Sequence, residues 1–185
     1  DADGFDRLST FARGAAPWQD EGMRITFVQT GGTIDKDYPR SRGGYAFEIG
    51  EPAAGRLMER WQATIDFCSQ TACRKDSTEI TDEDRAALAA LIADDPNDHV
   101  VVTHGTDTLL ETAAFLADRV GGKRVVLTGA MRPERFSDSD APLNLGCAVG
   151  ALQLADPGVY VAMHGVVGRY DQVRRSADTH RFERI

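Results

Sequence analysis

The sequence predicts a single three-layer α/β domain, in which a mainly parallel sheet lies between helices. Two observations favour this class. Short apolar segments alternate with segments whose apolar residues recur at helical spacing, as in successive strand–helix units. Polar, glycine-rich motifs follow the apolar segments, and in an open parallel sheet the ligand site lies beyond the carboxyl ends of the strands. The length of 185 residues suits one domain with a real core.

The strands and helices can be placed in order along the chain. Strands are expected at residues 24–29, 63–69, 99–103, 124–128 and 159–163. Helices are expected at 52–61, from Thr81 onward, at 109–120 and at 143–155. The Thr81 hydroxyl can cap its helix, and the acidic residues that follow favour the positive end of the helix dipole. The unbroken apolar character of the 99–103 strand indicates burial on both faces.

Two segments differ from this regular pattern. Residues 1–22 show no sustained periodicity and lack the apolar core of a signal peptide, so we expect a leader that is poorly ordered or a remnant of expression. Residues 23–185 would then form the single domain. Residues 34–50 are rich in Gly, Arg, Asp and Tyr and predict a long loop, a length typical of lids and binding loops.

Composition excludes several classes of partner. The net charge of -8 would repel a phosphate polyanion, so nucleic acid is not expected as a partner. The three cysteines, Cys68, Cys73 and Cys147, form neither a disulfide framework nor a zinc pattern and indicate reduced thiols in a cytoplasmic protein. No apolar run approaches the roughly 20 residues of a membrane helix.

The motif TGGT, residues 30–33, follows the first strand. Its glycines allow tight turning and a close backbone approach to a ligand. A threonine hydroxyl there could attack an acyl carbon once a base removes its proton. A plain strand-to-helix turn is the alternative, whereas the phosphate-binding patterns GxGxxG and Gly-Lys-Ser/Thr are absent from the motif.

The motif HGTDT, residues 104–108, follows the third strand and allows two interpretations. Thr106 and Asp107 could simply cap the next helix. Alternatively, backbone N–H groups could bind a carboxylate while Asp107 pairs with an ammonium, which together suit an amino-acid head group. His104 fits a structural role, because no Ser or Cys is arranged with it. Ser77, in the motif KDST, is either a turn residue or a donor to a ligand carboxylate.

Taken in order, TGGTI, DST, HGTDT and GAMRP resemble the L-asparaginase family over about residues 23–182. The resemblance covers the amino-terminal catalytic domain of that family and not its smaller carboxyl-terminal domain, so a short, single-domain asparaginase is expected. It implies that Thr33 is the nucleophile and that Tyr45 helps to activate it. Thr106 would be the second active-site threonine and would also contact the substrate.

The resemblance also implies how the substrate is held. Ser77 would bind the α-carboxylate, with Asp76 and Thr78 beside it. Asp107 would bind the α-ammonium, and the backbone carbonyl of Ala130 would accept from the side-chain amide.

One position departs from the family pattern. The family has a lysine that is hydrogen-bonded to the second threonine and the aspartate, whereas this sequence reads VRRS at residues 173–176. Arg175 takes the lysine position, and Arg174 is the alternative after a shift of one residue. Arginine stays protonated and is a poor proton shuttle, so the rate should suffer more than the fold or binding.

The resemblance implies hydrolysis of L-asparagine to L-aspartate and ammonia through a threonine acyl-enzyme, without a metal or organic cofactor. It also implies a homo-oligomer. A non-catalytic amino-acid-binding module and a tRNA-dependent amidotransferase subunit remain alternatives. Asparagine and glutamine differ by one methylene, which is worth only about 1–3 kcal/mol in a pocket, so the preference between them stays open.

Overall fold

The computed structural model describes residues 23–38 and 47–185, so the expectation for residues 1–22 lies outside the described residues. The strands there are β1 (Arg24–Gly31), β2 (Lys36–Asp37), β3 (Glu48–Ile49), β4 (Asp66–Lys75), β5 (His99–Thr103), β6 (Arg124–Thr128), β7 (Gly158–Met163), β8 (Val166–Arg169), β9 (Val173–Arg175) and β10 (Phe182–Arg184). The α-helices are α1 (Ala53–Arg60), α2 (Asp82–Asp94), α3 (Leu109–Leu116) and α4 (Ala141–Leu152).

A six-stranded sheet with the order β4-β1-β5-β6-β7-β8 forms the centre of the domain. Every neighbouring pair from β4 to β7 is parallel, and only β8 runs antiparallel to its neighbour β7. The chain places β4 on one side of β1 and then β5 on the other side. This reversal opens a crevice at the carboxyl ends of β1 and β5, which is where open α/β sheets bind ligands.

Helices cover both faces of the sheet and complete the predicted three layers. On one face, Val100 and Val102 of β5 share a buried cluster with Leu88 of α2 and Leu116 of α3. On the other face, Val101 joins a second cluster with residues of α1 and α4. Consecutive residues of β5 are therefore buried on opposite faces, as the continuous apolar run predicts.

Several elements match the prediction and others differ from it. Strands β5 and β6 have the predicted bounds, and α2 begins with a reciprocal capping box between Thr81 and Asp84. β4 was expected at 63–69 but spans Asp66–Lys75, because it is an edge strand whose half-exposed polar residues give no apolar signal. α3 ends at Leu116 rather than at residue 120. The pairs β2–β3 and β9–β10 were not predicted.

None of the helices in residues 23–38 and 47–185 combines the length and apolar character that crossing a membrane requires.

Candidate active site

The segments that follow β1, β4 and β5 pack directly against one another through glycines. A β carbon on Gly32 would lie 2.4 Å from the Gly105 amide nitrogen, and one on Gly105 would lie 2.6 Å from Ser77 Oγ. Gly32 also has a φ of 86°, which residues with side chains rarely adopt. The glycines of TGGT and HGTDT thus bring Thr33, Ser77 and Thr106 to the same crevice.

The segment after β6 closes the same edge from the other side. A β carbon on Gly129 would lie 2.3 Å from the His104 carbonyl oxygen, so this segment rests on HGTDT. The Asn144 side chain on α4 donates to the Gly129 carbonyl at 3.0 Å. Ala130 follows Gly129 and is buried. The hydrogen bond from a substrate amide to its carbonyl stays a prediction.

An ion cluster fixes the turn that carries Thr33. The Glu134 backbone N–H donates to the Ile34 carbonyl at 3.1 Å. The buried Glu134 carboxylate pairs with Arg56 at 2.9 Å and with Arg60 at 2.7 Å, both on α1. Helix α1, the segment after β6 and the turn Thr33–Asp35 are therefore held together as one unit.

The two threonines of TGGT have different environments. Thr30 is buried, and its hydroxyl donates to the Thr103 carbonyl at 2.9 Å. Thr33 is half-buried, and its hydroxyl has no hydrogen-bond partner among residues 23–38 and 47–185. Only Thr33 of the pair presents a free hydroxyl at the crevice. Tyr45, expected to activate it, lies outside the described residues.

Ser77 presents a buried hydroxyl that the described residues leave without a partner. Ser77 is 1% exposed, and its Oγ makes no hydrogen bond within the described part of the chain. Its carbonyl accepts from Thr108 Oγ1 at 2.7 Å, which ties the turn to HGTDT. A buried hydroxyl without a partner is a position where a polar ligand atom would be favourable.

Asp76 and Thr78 lie beside Ser77 and have local partners. The Asp76 carboxylate accepts from the Thr78 backbone N–H at 3.3 Å and pairs with Lys36 at 3.2 Å. The Thr78 N–H is the first cause, and the Lys36 ammonium a further one, that lower the pKa of Asp76. These contacts order the turn that carries Ser77.

Asp107 forms an ion pair with Arg175. Arg175 Nη1 on β9 lies 2.6 Å from Asp107 Oδ1, with 55% of the aspartate side chain and 21% of the arginine side chain exposed. Arg174 instead pairs with Glu183 on β10 at 2.9 Å. Helix α3 begins after Thr108 without a side-chain capping bond, so the capping alternative for Thr106 and Asp107 finds no support.

The comparisons with known proteins give the family of the chain. A family model described as asparaginase, N-terminal, matches residues 24–183. The chain belongs to the asparaginase family.

Individual relatives cover different shares of this asparaginase domain. It is 42% identical to an L-asparaginase of Thermococcus kodakarensis over 145 residues, which is 76% of this chain and 44% of the relative. It is 32% identical to a glutaminase-asparaginase of Acinetobacter glutaminasificans over 167 residues, 84% of this chain and 50% of the relative. One component of a glutamyl-tRNA(Gln) amidotransferase from Methanococcus vannielii is 45% identical over 69 residues, 37% of this chain and 16% of the relative.

The fold of the asparaginase domain matches solved structures as well. The structure of the thermostable L-asparaginase from Thermococcus kodakarensis aligns with a TM-score of 0.76 and 29% identity, covering 88% of this chain and 51% of that one. The chain spans about half the length of these asparaginase relatives.

His104 lies behind the crevice of the asparaginase domain rather than in it. Its buried ring has Nδ1 2.8 Å from the Gly105 carbonyl oxygen and Nε2 2.9 Å from Thr112 Oγ1. Burial is the main cause that lowers the pKa of His104 to about 4, so the ring is neutral at neutral pH. Its contacts agree with the structural role predicted from the sequence.

Asp35 is a site-adjacent residue that the sequence interpretation missed. Its buried carboxylate accepts from the Ala53 N–H at 2.7 Å, at the start of α1, and from Thr103 Oγ1 at 3.2 Å. Burial raises the pKa of Asp35 to about 6. The signal available in the sequence was a carboxylate two residues after Thr33 and ahead of a predicted helix. Its partners Ala53 and Thr103 are distant in sequence, so this signal did not identify the contacts.

Proposed function

We propose that this asparaginase domain hydrolyses the side-chain amide of L-asparagine to L-aspartate and ammonia through an acyl-enzyme on Thr33. The observation that carries the proposal is the packing of the Gly32 backbone on Gly105 and of Gly105 on Ser77. This packing gathers a free hydroxyl, a buried hydroxyl without a partner and the carboxylate of Asp107 around one crevice.

The head-group contacts follow from the charges of an amino acid. The Ser77 hydroxyl can donate to the α-carboxylate, which would satisfy its buried oxygen. The Asp107 carboxylate is half-exposed and can accept from the α-ammonium through Oδ2 while Arg175 holds Oδ1. The side-chain amide would then face Thr33, with the Ala130 carbonyl as an acceptor for its N–H.

The reaction divides into two acyl transfers. Thr33 Oγ bonds to the amide carbon, backbone N–H groups stabilise the oxyanion, and the C–N bond breaks as the nitrogen takes a proton and leaves as ammonia. Water then adds to the ester carbon, and the C–O bond to Thr33 breaks. The hydroxyl of Thr33 regains its proton, and L-aspartate leaves. Tyr45 is proposed to assist the proton transfers at Thr33.

The test is ammonia release from L-asparagine and L-glutamine, without tRNA, together with calorimetric titration of L-aspartate. Release of ammonia that depends on Thr33 supports the proposal. Binding of aspartate without turnover would identify a non-catalytic amino-acid-binding module, for which the arginine at the family lysine position is the supporting feature. Turnover only in the presence of tRNA would identify an amidotransferase subunit, the class to which one partial relative belongs.

We further propose a cytoplasmic homo-oligomer. Three free cysteines agree with a reducing compartment. Exposed Tyr38, Phe47 and Phe136 form an aromatic cluster, and such a patch favours contact with another subunit. Sedimentation velocity of the purified chain would measure the assembly, and a monomer at micromolar concentration would contradict it.

A further inference from the structure

A chain of hydrogen bonds leads from the far face of the domain to the HGTDT segment. Arg85 Nε on α2 lies 3.1 Å from Thr112 Oγ1 on α3, and Thr112 Oγ1 lies 2.9 Å from His104 Nε2. His104 Nδ1 lies 2.8 Å from the Gly105 carbonyl oxygen. All three side chains are almost completely buried, so water does not compete for these bonds.

The direction of each hydrogen bond follows from which of its atoms can donate and which can accept. A guanidinium only donates, so Thr112 Oγ1 accepts from Arg85 Nε, and a carbonyl only accepts, so the Gly105 carbonyl accepts the proton of His104 Nδ1. The ring is neutral, so Nε2 carries no proton and accepts from the Thr112 hydroxyl. The Gly105 carbonyl and the Thr112 hydroxyl therefore favour the same neutral tautomer of His104, and the bond from Arg85 leaves the Thr112 proton free to be donated to Nε2.

The position of Arg85 is itself fixed. Arg85 Nη1 lies 2.8 Å from Asp82, and Nη2 lies 3.3 Å from Glu111. The low pKa of His104 keeps the ring neutral, which leaves Nε2 able to accept. This chain of hydrogen bonds, called the relay below, runs from Arg85 on α2 through Thr112 on α3 to His104, and it ends at the Gly105 carbonyl at the crevice.

The last bond of the relay orients a peptide group at the crevice. The Gly105 carbonyl and the Thr106 N–H belong to one trans peptide and point in opposite directions. Because the carbonyl turns toward the buried imidazole, the Thr106 N–H turns away from it, and in the described residues that N–H has no acceptor. The same Gly105 backbone touches Gly32 and Ser77, so a rotation here would disturb both.

We infer that His104 is a positioning residue for the Gly105–Thr106 peptide, and that Arg85 and Thr112 hold its imidazole in the tautomer that does this. The expected effect on kcat rests on the proposed function, whereas the expected state of the His104 ring does not. Transition-state geometry is more sensitive to the direction of a backbone donor than ground-state binding is, so the relay should act on kcat more than on KM.

The test replaces the middle member of the relay. Thr112→Val removes the hydroxyl, and Thr112→Ser restores it. Thr26→Val is the matched control, since Thr26 is equally buried and hydrogen-bonds Asp95 at the start of the sheet, away from the site. Steady-state kinetics of each variant and ¹⁵N NMR of the histidine rings are measured on the full chain, because protonated and unprotonated ring nitrogens resonate far apart.

Thr112→Val should lower kcat about tenfold or more and should change KM much less. Removing an oxyanion donor outright lowers kcat further, and a donor that only changes direction should cause a part of that loss. The ¹⁵N resonance of His104 Nε2 should shift, because this unprotonated nitrogen loses its hydrogen-bond donor. Thr112→Ser should recover both, and Thr26→Val should change neither per folded molecule.

Three results would overturn the inference: an unchanged kcat in Thr112→Val, an unchanged ring spectrum, or an equal loss of kcat in Thr26→Val. If the wild type releases no ammonia, the proposed function fails. The ring spectrum of Thr112→Val then decides the inference by itself, because an unchanged Nε2 resonance excludes the relay and a shifted one supports it.

Discussion

Arg175 Nη1 and Asp107 Oδ1 lie 2.6 Å apart, and this ion pair joins the short strand β9 to the HGTDT segment. Arg175 also donates through Nε to the His180 carbonyl at 3.2 Å, which holds the guanidinium from its other side. The family resemblance puts Arg175 where the family has a lysine, and a guanidinium is a poor proton shuttle. This arrangement can orient Asp107 but cannot supply or take up a proton.

Arg175→Lys should raise kcat. A lysine ammonium can pair with Asp107 and also exchange a proton during the cycle, and acid–base assistance is typically worth about 10²–10⁴-fold. A lysine in a space built for a guanidinium should recover about tenfold, less than the lower end of that range. KM should change much less, because Ser77 and Asp107 are expected to hold the head group. Ammonia release at saturating asparagine measures the effect.

Arg174→Lys is the matched control, because Arg174 is the neighbouring arginine on β9 and pairs with Glu183 instead. It should leave kcat unchanged. A wild type that already turns over as fast as ordinary enzymes, or no gain in Arg175→Lys, would show that this site does not need the lysine.

The sequence predicted the central strands better than the segments that complete the site. Strands β5 and β6 were placed with their bounds because burial on both faces leaves an unbroken apolar run. β9 and β10 have three residues each and form strands only by pairing with one another, so no local sequence pattern indicates them. The position of Arg175 came from a family resemblance, and the contact with Asp107 required the structure.

Within the site, too, the features that depend on local chemistry were predicted, and those that depend on long-range contacts were not. The glycines of TGGT and HGTDT signalled a close backbone approach, which Gly32 and Gly105 make. The buried state of Asp35 depends on Thr103 and Ala53, which adjoin it only in the folded chain. Residue type and spacing carry no information about such a pairing.

Thr33→Ala should abolish turnover and leave the fold intact. The hydroxyl is half-exposed and makes no hydrogen bond within the described residues, so its loss should change the free energy of unfolding by less than about 1 kcal/mol. Ammonia release and urea unfolding measure the two effects. Thr30→Ala is the control: it loses the bond to the Thr103 carbonyl and about 1 kcal/mol of stability, but keeps turnover per folded molecule. More than a few per cent of activity in Thr33→Ala would exclude it as the nucleophile.

Asp107→Asn should weaken the binding of L-aspartate by at least about 1 kcal/mol, because a charged hydrogen bond to the ammonium is worth roughly 1.5–3 kcal/mol. The substitution keeps the shape of the side chain and removes its charge. Isothermal titration measures the dissociation constant. Glu183→Gln, which removes the carboxylate paired with Arg174, should leave that constant unchanged. Equal affinities in Asp107→Asn and the wild type would rule out a head-group role for Asp107.

Asp35→Asn should change how stability depends on pH. Burial raises the pKa of Asp35 from 3.8 to about 6, so between these values the folded protein binds a proton that the unfolded chain releases. Asp35 therefore stabilises the fold most at low pH, and this contribution falls as the pH rises from about 4 to about 6 and is then lost. A shift of this size corresponds to at most about 3 kcal/mol.

Asparagine can still accept from the Ala53 N–H, and it has no proton to lose. The free energy of unfolding of the variant, relative to the wild type, should thus rise by about 1–3 kcal/mol across this pH interval, as measured by urea titrations. Asp66→Asn, which likewise removes one carboxylate but at an exposed position at the start of β4, is the matched control. Parallel pH profiles for Asp35→Asn and the wild type would mean that the buried carboxyl does not titrate in this interval.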